Sequence, residues 1–450
     1  MRYPAQQAVS IPRHWAWALG IGVALLGGLL LWLVLAARGA APSVASTVQS
    51  AVAAAERRVM GPVPLRPAAP VARTPDRESA HGVDEYEVCG GAWVKANAEG
   101  EPDEASMTRA MRRDDVIRAV DGKLAADSRP QAQAARLWLQ MLASDDLRRA
   151  LVVSTLACGA ETCPPGSAGS APAIDAVAMT RNSLARLAIS TTDPATYALA
   201  FHACGSGRMR EGACALLSAE QWARLDPGNA APWQEVFAAA QQRKDTASAN
   251  EALHRIATSK RSDQRLFDLL SLILEAAPDD DGLQNGVFML SVEVVGVQAA
   301  WSLPAYQPLV SACKPEMLRD SNRRQTCEAI GELFAQRSDT MLERGIGGAL
   351  GRHLGWPEER IDRLRAEHTA YGNSMFTGIE PRDAMSCTSI RRMNDQFRRT
   401  ARLGEVGAMR DWLAHEAPPT DELLRRYRTQ RELGKALAAA QAASAASAPG

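Results

Sequence analysis

Apolar residues recur at helical spacing along most of the chain. In Ala134–Leu142 the large apolar residues fall on one face of a helix, and Arg265–Leu274 shows the same pattern. Alternating, strand-like patterns are scarce, and Glu85–Val94 is the best candidate for a short extended stretch. The pattern therefore predicts an all-α fold for a domain that covers residues 82–433.

The most apolar part of the chain is the uncharged segment Trp15–Ala37. Because about 20 apolar residues in a helix cross the hydrocarbon core of a bilayer, this segment predicts one transmembrane helix, preceded by residues 1–14. Arg2 and Arg13 favour a cytoplasmic location for that N-terminus. The rival interpretation is a cleaved signal peptide, whose apolar region is normally only about 7–15 residues long.

Three further features concern the segments outside the domain. Within the predicted membrane helix, Gly20, Ala24 and Gly28 recur every four positions. Such spacing lets two membrane helices approach closely, so these residues are a candidate homodimer face. Residues 38–81 are rich in Ala and Pro and predict a semi-stiff linker. Residues 434–450 are mostly Ala, Ser and Gln and predict a disordered tail.

All eight cysteines lie on the C-terminal side of the apolar segment. An even number of cysteines confined to this part favours an oxidising compartment, so we expect the bulk of the chain in a bacterial periplasm, held by an inner-membrane helix. Eight cysteines allow many pairings. Their spacing favours three local disulfides and a fourth that closes the domain: Cys158–Cys163, Cys204–Cys214, Cys313–Cys327 and Cys89–Cys387.

Charge and motifs limit the chemistry that the sequence predicts. Lys plus Arg and Asp plus Glu each number 51, so no overall basic field favours a nucleic-acid partner. His-Glu-x-x-His, Cys-x-x-Cys and Gly-x-Ser-x-Gly do not occur. The sequence therefore predicts no catalytic residue, cofactor or metal ligand. The glycine-rich segment Gly345–Gly351 predicts a close helix–helix contact or a hinge.

Residues 222–257 have the pattern of a helix, a turn and a second helix. Trp233 takes a large apolar position in the first helix, and Ala249 takes a small position in the second. Leu225-Asp226-Pro227 precedes the pair. These residues resemble a tetratricopeptide repeat, a helix–turn–helix unit of about 34 residues.

The resemblance covers one unit well and extends loosely over residues 193–259. Phe237 and Ile256 depart from it, because they stand where the repeat usually has small residues. It implies a helical-hairpin array whose surface binds proteins or peptides. The order of anchor, linker and helical domain also resembles that of membrane-anchored proteobacterial proteins of uncharacterised role.

The sequence leaves three functional hypotheses. The first is a membrane-tethered periplasmic helical-repeat protein that serves as an interaction or scaffold module for an unknown protein or peptide. The second is an envelope enzyme whose active site uses dispersed carboxylates. The third is a purely structural protein of the envelope. A polar site with converging acidic residues would favour the enzyme, whereas a concave helical surface would favour the interaction module.

Overall fold

The computed structural model describes residues 85–90, 92–95, 106, 109–156, 170–205, 211–299, 306–375, 379 and 383–446. The chain divides into two units, of which the larger comprises Tyr86–Val94 and Pro102–Gly450. The smaller unit, Met1–Glu85 and Lys95–Glu101, lies almost wholly outside the described residues. All the helices named below belong to the larger unit.

The described residues form 16 α-helices and one two-stranded sheet of β1 (Glu85–Val88) and β2 (Ala92–Lys95). The first eight helices are α1 Arg113–Ala126, α2 Pro130–Leu142, α3 Asp145–Leu156, α4 Ala171–Ile189, α5 Pro194–Ala203, α6 Ala219–Leu225, α7 Ala230–Arg243 and α8 Thr246–Thr258. The other eight are α9 Leu266–Ala276, α10 Gln284–Ala299, α11 Tyr306–Ala312, α12 Ser321–Arg337, α13 Met341–Leu354, α14 Glu358–Ser374, α15 Cys387–His415 and α16 Thr420–Ala446. The mainly helical fold that the apolar pattern predicts is confirmed.

Short polar side chains begin many of these helices. Asp193 caps α5 by accepting a hydrogen bond from the Thr196 amide at 2.6 Å, and Pro194 follows at the first helical position. Asn229 caps α7 and Thr340 caps α13 in the same way. Because the first amides of a helix have no partner within it, such caps fix where each helix begins.

Two helical hairpins, α7–α8 and α12–α13, share one apolar core. Phe237 of α7, Leu253 of α8, Phe334 of α12 and Leu350 of α13 are all buried in it. Ala249 is also buried there, at the small position that the sequence predicts for the second helix of the repeat-like pair. The helical hairpin in the 222–257 region is therefore present.

A regular succession of hairpins is not maintained after α8. Helix α10 packs instead on α1 and α15, which are distant in sequence. At Gly286 of α10 an added Cβ would lie 2.6 Å from the Val116 side chain of α1, and Phe288 contacts Phe397 of α15 with their ring centroids 6.0 Å apart. Helices α9 and α10 therefore form a second layer and do not continue the series of hairpins. A tetratricopeptide array remains a prediction.

Three cysteine pairs are joined as disulfides: Cys89–Cys387, Cys204–Cys214 and Cys313–Cys327. The first links residues separated by 298 positions, at the turn after β1 and at the start of α15. Backbone contacts reinforce it, because the Cys89 amide donates to the Met385 carbonyl at 3.0 Å. The expected pair Cys158–Cys163 lies outside the described residues.

Helix α15 is kinked at Gly404. This glycine has φ 70° and ψ 169°, far from helical values. An added Cβ would lie 3.1 Å from the Asp339 carbonyl oxygen, and the Val406 amide donates to that same oxygen at 3.3 Å. Glycine is needed here because both its positive φ and the close approach disfavour a side chain.

Within the described part of the chain, no helix is both long and apolar enough to cross a bilayer. The predicted span Trp15–Ala37, with its candidate dimer face Gly20, Ala24 and Gly28, lies outside that part, as does the whole 38–81 linker. At the other end, α16 continues to Ala446. It therefore includes most of the segment 434–450, for which the sequence predicts a disordered tail. Alanine has the highest helix propensity, which favours this continuation.

Candidate functional site

Three loops converge between the two hairpins and the second layer. They are residues 226–229 before α7, residues 259–265 between α8 and α9, and residues 338–340 between α12 and α13. The middle loop bonds to both others: the Lys260 amide donates to the Gly228 carbonyl at 2.9 Å, and the Ser262 carbonyl accepts from the Asp339 amide at 3.0 Å. We call these three segments, with the side chains that enclose them, the loop junction.

Asn229 fixes the first loop to the second. Its side-chain amide donates to the Asp263 carbonyl at 2.7 Å and to the Asp226 carboxylate at 3.1 Å, and its Oδ1 accepts from the Asp263 amide at 2.9 Å. Asn229 is fully buried. Because each bond satisfies a group that burial removes from water, this side chain has a structural role in the junction.

Glu343 lies at the centre of the junction and is fully buried. Its Oε1 accepts four hydrogen bonds, from Gln234 Nε2 at 2.8 Å, Gln264 Nε2 at 2.8 Å, Ser262 Oγ at 2.9 Å and Tyr306 OH at 3.1 Å. Its Oε2 is buried and has no hydrogen-bond partner. Burial raises the pKa of Glu343, while the four donors act in the opposite direction.

Asp339 brings a second carboxyl group into the junction. Its Oδ2 accepts from the Gln264 amide at 3.1 Å, and its Oδ1 is buried. Burial raises the pKa of Asp339 well above its usual value, and the nearby charges of Asp263 and Glu343 raise it further.

The kink of α15 adds a third, partly buried carboxyl group. Glu405 follows Gly404 directly, and its Oε2 accepts from the Met341 amide at 2.8 Å, at the N-terminus of α13. Burial raises the pKa of Glu405, although the bond from Met341 partly opposes this shift. The positive end of the α13 dipole favours a carboxylate at this position.

The outer side of the junction contains compensating arginines. Asp226 binds Arg261 at 2.6 Å and Arg265 at 3.0 Å. Burial acts to raise the pKa of Asp226, but these two arginines and Asn229 together hold it below its usual value. Asp268, one helical turn into α9, differs because burial outweighs Arg265 and raises its pKa to about 6.

His202 and Tyr306 close the junction from two other helices. The Nε2 of His202 on α5 donates to the Gln264 carbonyl at 3.0 Å, and its ring meets Trp222 edge-on with the centroids 5.4 Å apart. Tyr306 begins α11, and burial raises the pKa of its hydroxyl well above the usual value. Both side chains orient residues of the 259–265 loop and are themselves enclosed.

The chain was compared with models of protein families, with curated proteins and with solved structures, and none of them matches it. The loop junction is therefore assessed on its own geometry. Among the described residues, no three His, Cys, Asp or Glu side chains are grouped so that they could hold a metal ion. The chemistry that the junction supports is proton binding by buried carboxyl groups.

The residues singled out from sequence lie elsewhere. Six of the eight candidate cysteines form disulfides, and none of the six belongs to the three loops of the junction. The local sequence predicts a different role for Glu343. Thr340 and Glu343 have the spacing of a capping box, in which the glutamate side chain would bond to the backbone amide of Thr340. Thr340 does cap the Glu343 amide at 3.2 Å, but the Glu343 side chain turns inward instead of returning to the helix start.

Proposed function

We propose that this chain is a single-pass, membrane-tethered protein whose helical domain lies outside the cytoplasm and binds a protein or peptide partner. The observation that carries the location is the set of three disulfides, which join residues both near and far apart in sequence. Disulfides persist in oxidising compartments. The apolar segment 15–37 and the Ala/Pro-rich linker 38–81 supply the tether in this proposal.

A reporter fusion tests the topology. Alkaline phosphatase, which is active only after export, would be joined after residue 81, with or without deletion of residues 15–37. We expect activity and membrane association from the first fusion and neither from the second. Peptide mapping of the full chain without reductant should recover the three disulfides. An inactive first fusion, or a chain isolated with free thiols, would overturn the proposed location.

Exposed apolar side chains on α4 support the binding role. Ile174, Met179 and Ile189 are 43%, 65% and 48% exposed, and at about 100° per residue they fall within an arc of about 140°. The short 3-10 helix Gly212–Leu216 packs on α4, where the Ala213 amide donates to Asn182 Oδ1 at 2.7 Å. It adds Leu216, which is 71% exposed. Neighbouring exposed apolar residues of this kind are typical of protein-binding surfaces.

Site-specific cross-linking in intact cells tests this surface. A photoreactive residue would replace Met179, and the control position would be the exposed Gln430 on α16. We expect a discrete protein adduct from position 179 that is absent from position 430 and is lost when Leu216→Glu is added. Identical adducts from both positions, or an adduct that Leu216→Glu does not change, would argue against a binding surface on α4.

A second candidate function, an envelope enzyme with dispersed carboxylates, is favoured by the loop junction. Glu343 is fully buried, and Asp339 and Glu405 are partly buried. All three carboxyl groups have raised pKa values, a combination common at functional sites. The test is complementation of a strain that lacks the chain. A Glu343→Gln variant with the wild-type circular dichroism spectrum should fail to complement if the enzyme hypothesis is correct, whereas full complementation excludes a catalytic role for Glu343.

A further inference from the structure

The exposed face of α4 contains one acidic and one basic side chain. Asp175 lies in the first half of this helix and Arg186 in its second half, and both are exposed. Within the described part of the chain, neither side chain takes part in an ion pair. About three helical turns, or about 16 Å, separate the two residues, so they cannot bind each other within one copy of the chain.

These two residues share a narrow strip of α4 with large apolar side chains. At about 100° per residue, an arc of about 80° contains Asp175, Met179, Arg186 and Ile189. Ile174, which precedes Asp175, flanks the strip and is 43% exposed. Along the helix the strip is therefore apolar, acidic, apolar, basic and apolar. Its apolar positions are nearly symmetric about the middle of α4, while its charge changes sign there.

A pattern of this kind is complementary to itself when a second copy is turned end for end. In an antiparallel pair of α4 helices, Asp175 of each copy would lie opposite Arg186 of the other. In the same register, Ile174 of each copy would lie within about 3 Å, along the helix axis, of Ile189 of the other. The two Met179 side chains would meet near the two-fold axis. Such an interface is isologous, because the same residues contribute from both copies.

The two charges select the antiparallel arrangement. In a parallel pair in register, Asp175 would face the second Asp175 and Arg186 the second Arg186, so both contacts would be repulsive. The remaining charged residue of α4, Arg181, is not part of the strip and donates to the Leu151 carbonyl of α3 at 3.5 Å. Only the antiparallel pair therefore brings opposite charges together.

Leu216 extends the apolar part of this face. It is 71% exposed and belongs to the 3-10 helix that the bond from the Ala213 amide to Asn182 Oδ1 holds on α4. The Cys204–Cys214 disulfide fixes the same segment to the end of α5. Exposed apolar side chains combined with complementary charges are typical of a protein–protein interface.

We propose that the partner of the α4 surface is a second copy of this chain, bound through antiparallel pairing of the two α4 helices. This inference rests on the proposed function, because it names the partner of the same surface. The tether of that proposal favours the pairing, since two copies anchored in one membrane have a raised effective concentration for each other. A face made of one helix and one short 3-10 helix can then suffice.

Cross-linking between two tagged copies of the full chain tests the partner. Both copies would contain a photoreactive residue in place of Met179, and each would have a different epitope tag. Irradiation of intact cells should give an adduct of twice the chain mass that contains both tags. An adduct with another protein instead would overturn the second copy as partner and keep the binding surface. If this position gave no adduct, both the binding surface and the pairing would be overturned.

Charge exchange tests the antiparallel contacts. Asp175→Arg would place like charges at both contacts, and so would Arg186→Asp, and each should lower the yield of the adduct about tenfold. The double variant Asp175→Arg/Arg186→Asp again has opposite charges at both contacts and should restore the adduct. Co-expression of the two single variants should restore it as well, because one copy is then basic and the other acidic at both positions.

Arg319→Asp is the matched control, since it makes the same change of charge at an exposed residue between α11 and α12. It should leave the yield of the adduct unchanged. Because Asp175 and Arg186 are exposed, their variants should keep the fold, and circular dichroism checks this. A yield that neither single exchange lowers, or that the double exchange does not restore, would overturn the antiparallel pairing.

Discussion

Glycine determines how closely the helices of the second hairpin approach. At Gly347 of α13, an added Cβ would lie 2.5 Å from the Ala335 amide nitrogen and 2.9 Å from the Gly331 carbonyl oxygen of α12. At Gly351 it would enter the Trp356 ring, at 2.2 Å. The sequence left open whether the segment 345–351 makes a close helix–helix contact or a hinge, and the contact is what the structure shows.

A pair of substitutions in α13 tests this contact. Gly347→Ala should destabilise the domain by about 1–3 kcal/mol, because the backbone of α12 cannot move aside without loss of packing. Gly345→Ala is the matched control, since nothing lies within 4 Å of its added Cβ, and it should stabilise the helix by about 0.5–1 kcal/mol. Urea unfolding measures both changes. Stabilisation by Gly347→Ala, or equal destabilisation by both substitutions, would contradict the assigned packing.

The buried carboxyl groups could not be found from single residues. Asp263 lies in a polar stretch that has the pattern of an ordinary surface loop. Asp339 lies just before a helix, where aspartate is common as a capping residue. Their burial depends on α5, α11 and α15, which approach from distant parts of the chain. No local pattern reports such a convergence, so the loop junction was absent from the sequence predictions.

At the scale of elements, local signals predicted well and long-range contacts did not. The Asp193-Pro194 start of α5 and the α7–α8 hairpin depend on residues adjacent in sequence, and both are found. The path of α9 and α10 toward α1 and α15 depends on which apolar faces meet. Apolar spacing identifies a buried face but does not identify its partner.

The long and short disulfides should contribute differently to stability. In the chain-entropy model the constraint on the unfolded chain grows with loop length, so Cys89–Cys387, with a separation of 298, is worth about 6 kcal/mol. Cys313–Cys327, with a separation of 14, is worth about 3 kcal/mol. The prediction is that the Cys89→Ala/Cys387→Ala variant is less stable than the Cys313→Ala/Cys327→Ala variant.

Urea unfolding of the two double variants, under identical conditions, measures this difference. Cys89, Cys313 and Cys327 are each at most 1% exposed, whereas Cys387 is only partly buried, so its replacement by alanine should leave the smallest cavity of the four. We expect the unfolding free energies to differ by about 3 kcal/mol. Equal stabilities would mean that the closure between β1 and α15 is maintained by other contacts, such as the bond from Asn285 to the Cys89 carbonyl at 2.5 Å.

At the scale of the whole molecule, the two hairpins and the α1–α10–α15 layer meet at the loop junction, and α16 extends this assembly at one end. Leu423 and Leu424 pack α16 on Ala366 of α14. Arg428 and Arg431 bind Asp362 of α14 at 3.2 Å and 2.6 Å. Stability therefore depends on the first three turns of α16.

Two truncations of the chain separate the packed and exposed parts of α16. Every side chain from Glu432 to Ala439 is exposed, so a chain that ends at Leu433 should unfold within about 0.5 kcal/mol of the full chain. A chain that ends at Tyr427 lacks both arginines and leaves the Asp362 carboxylate, which is 2% exposed, without its partners. We expect it to lose about 2 kcal/mol, since an unpaired buried charge costs its desolvation.

Thermal and urea unfolding of the two truncated chains measure both changes in stability. If the chain that ends at Leu433 is already destabilised, residues 434–450 pack on the domain. If the chain that ends at Tyr427 is as stable as the full chain, Asp362 does not need its ion pairs.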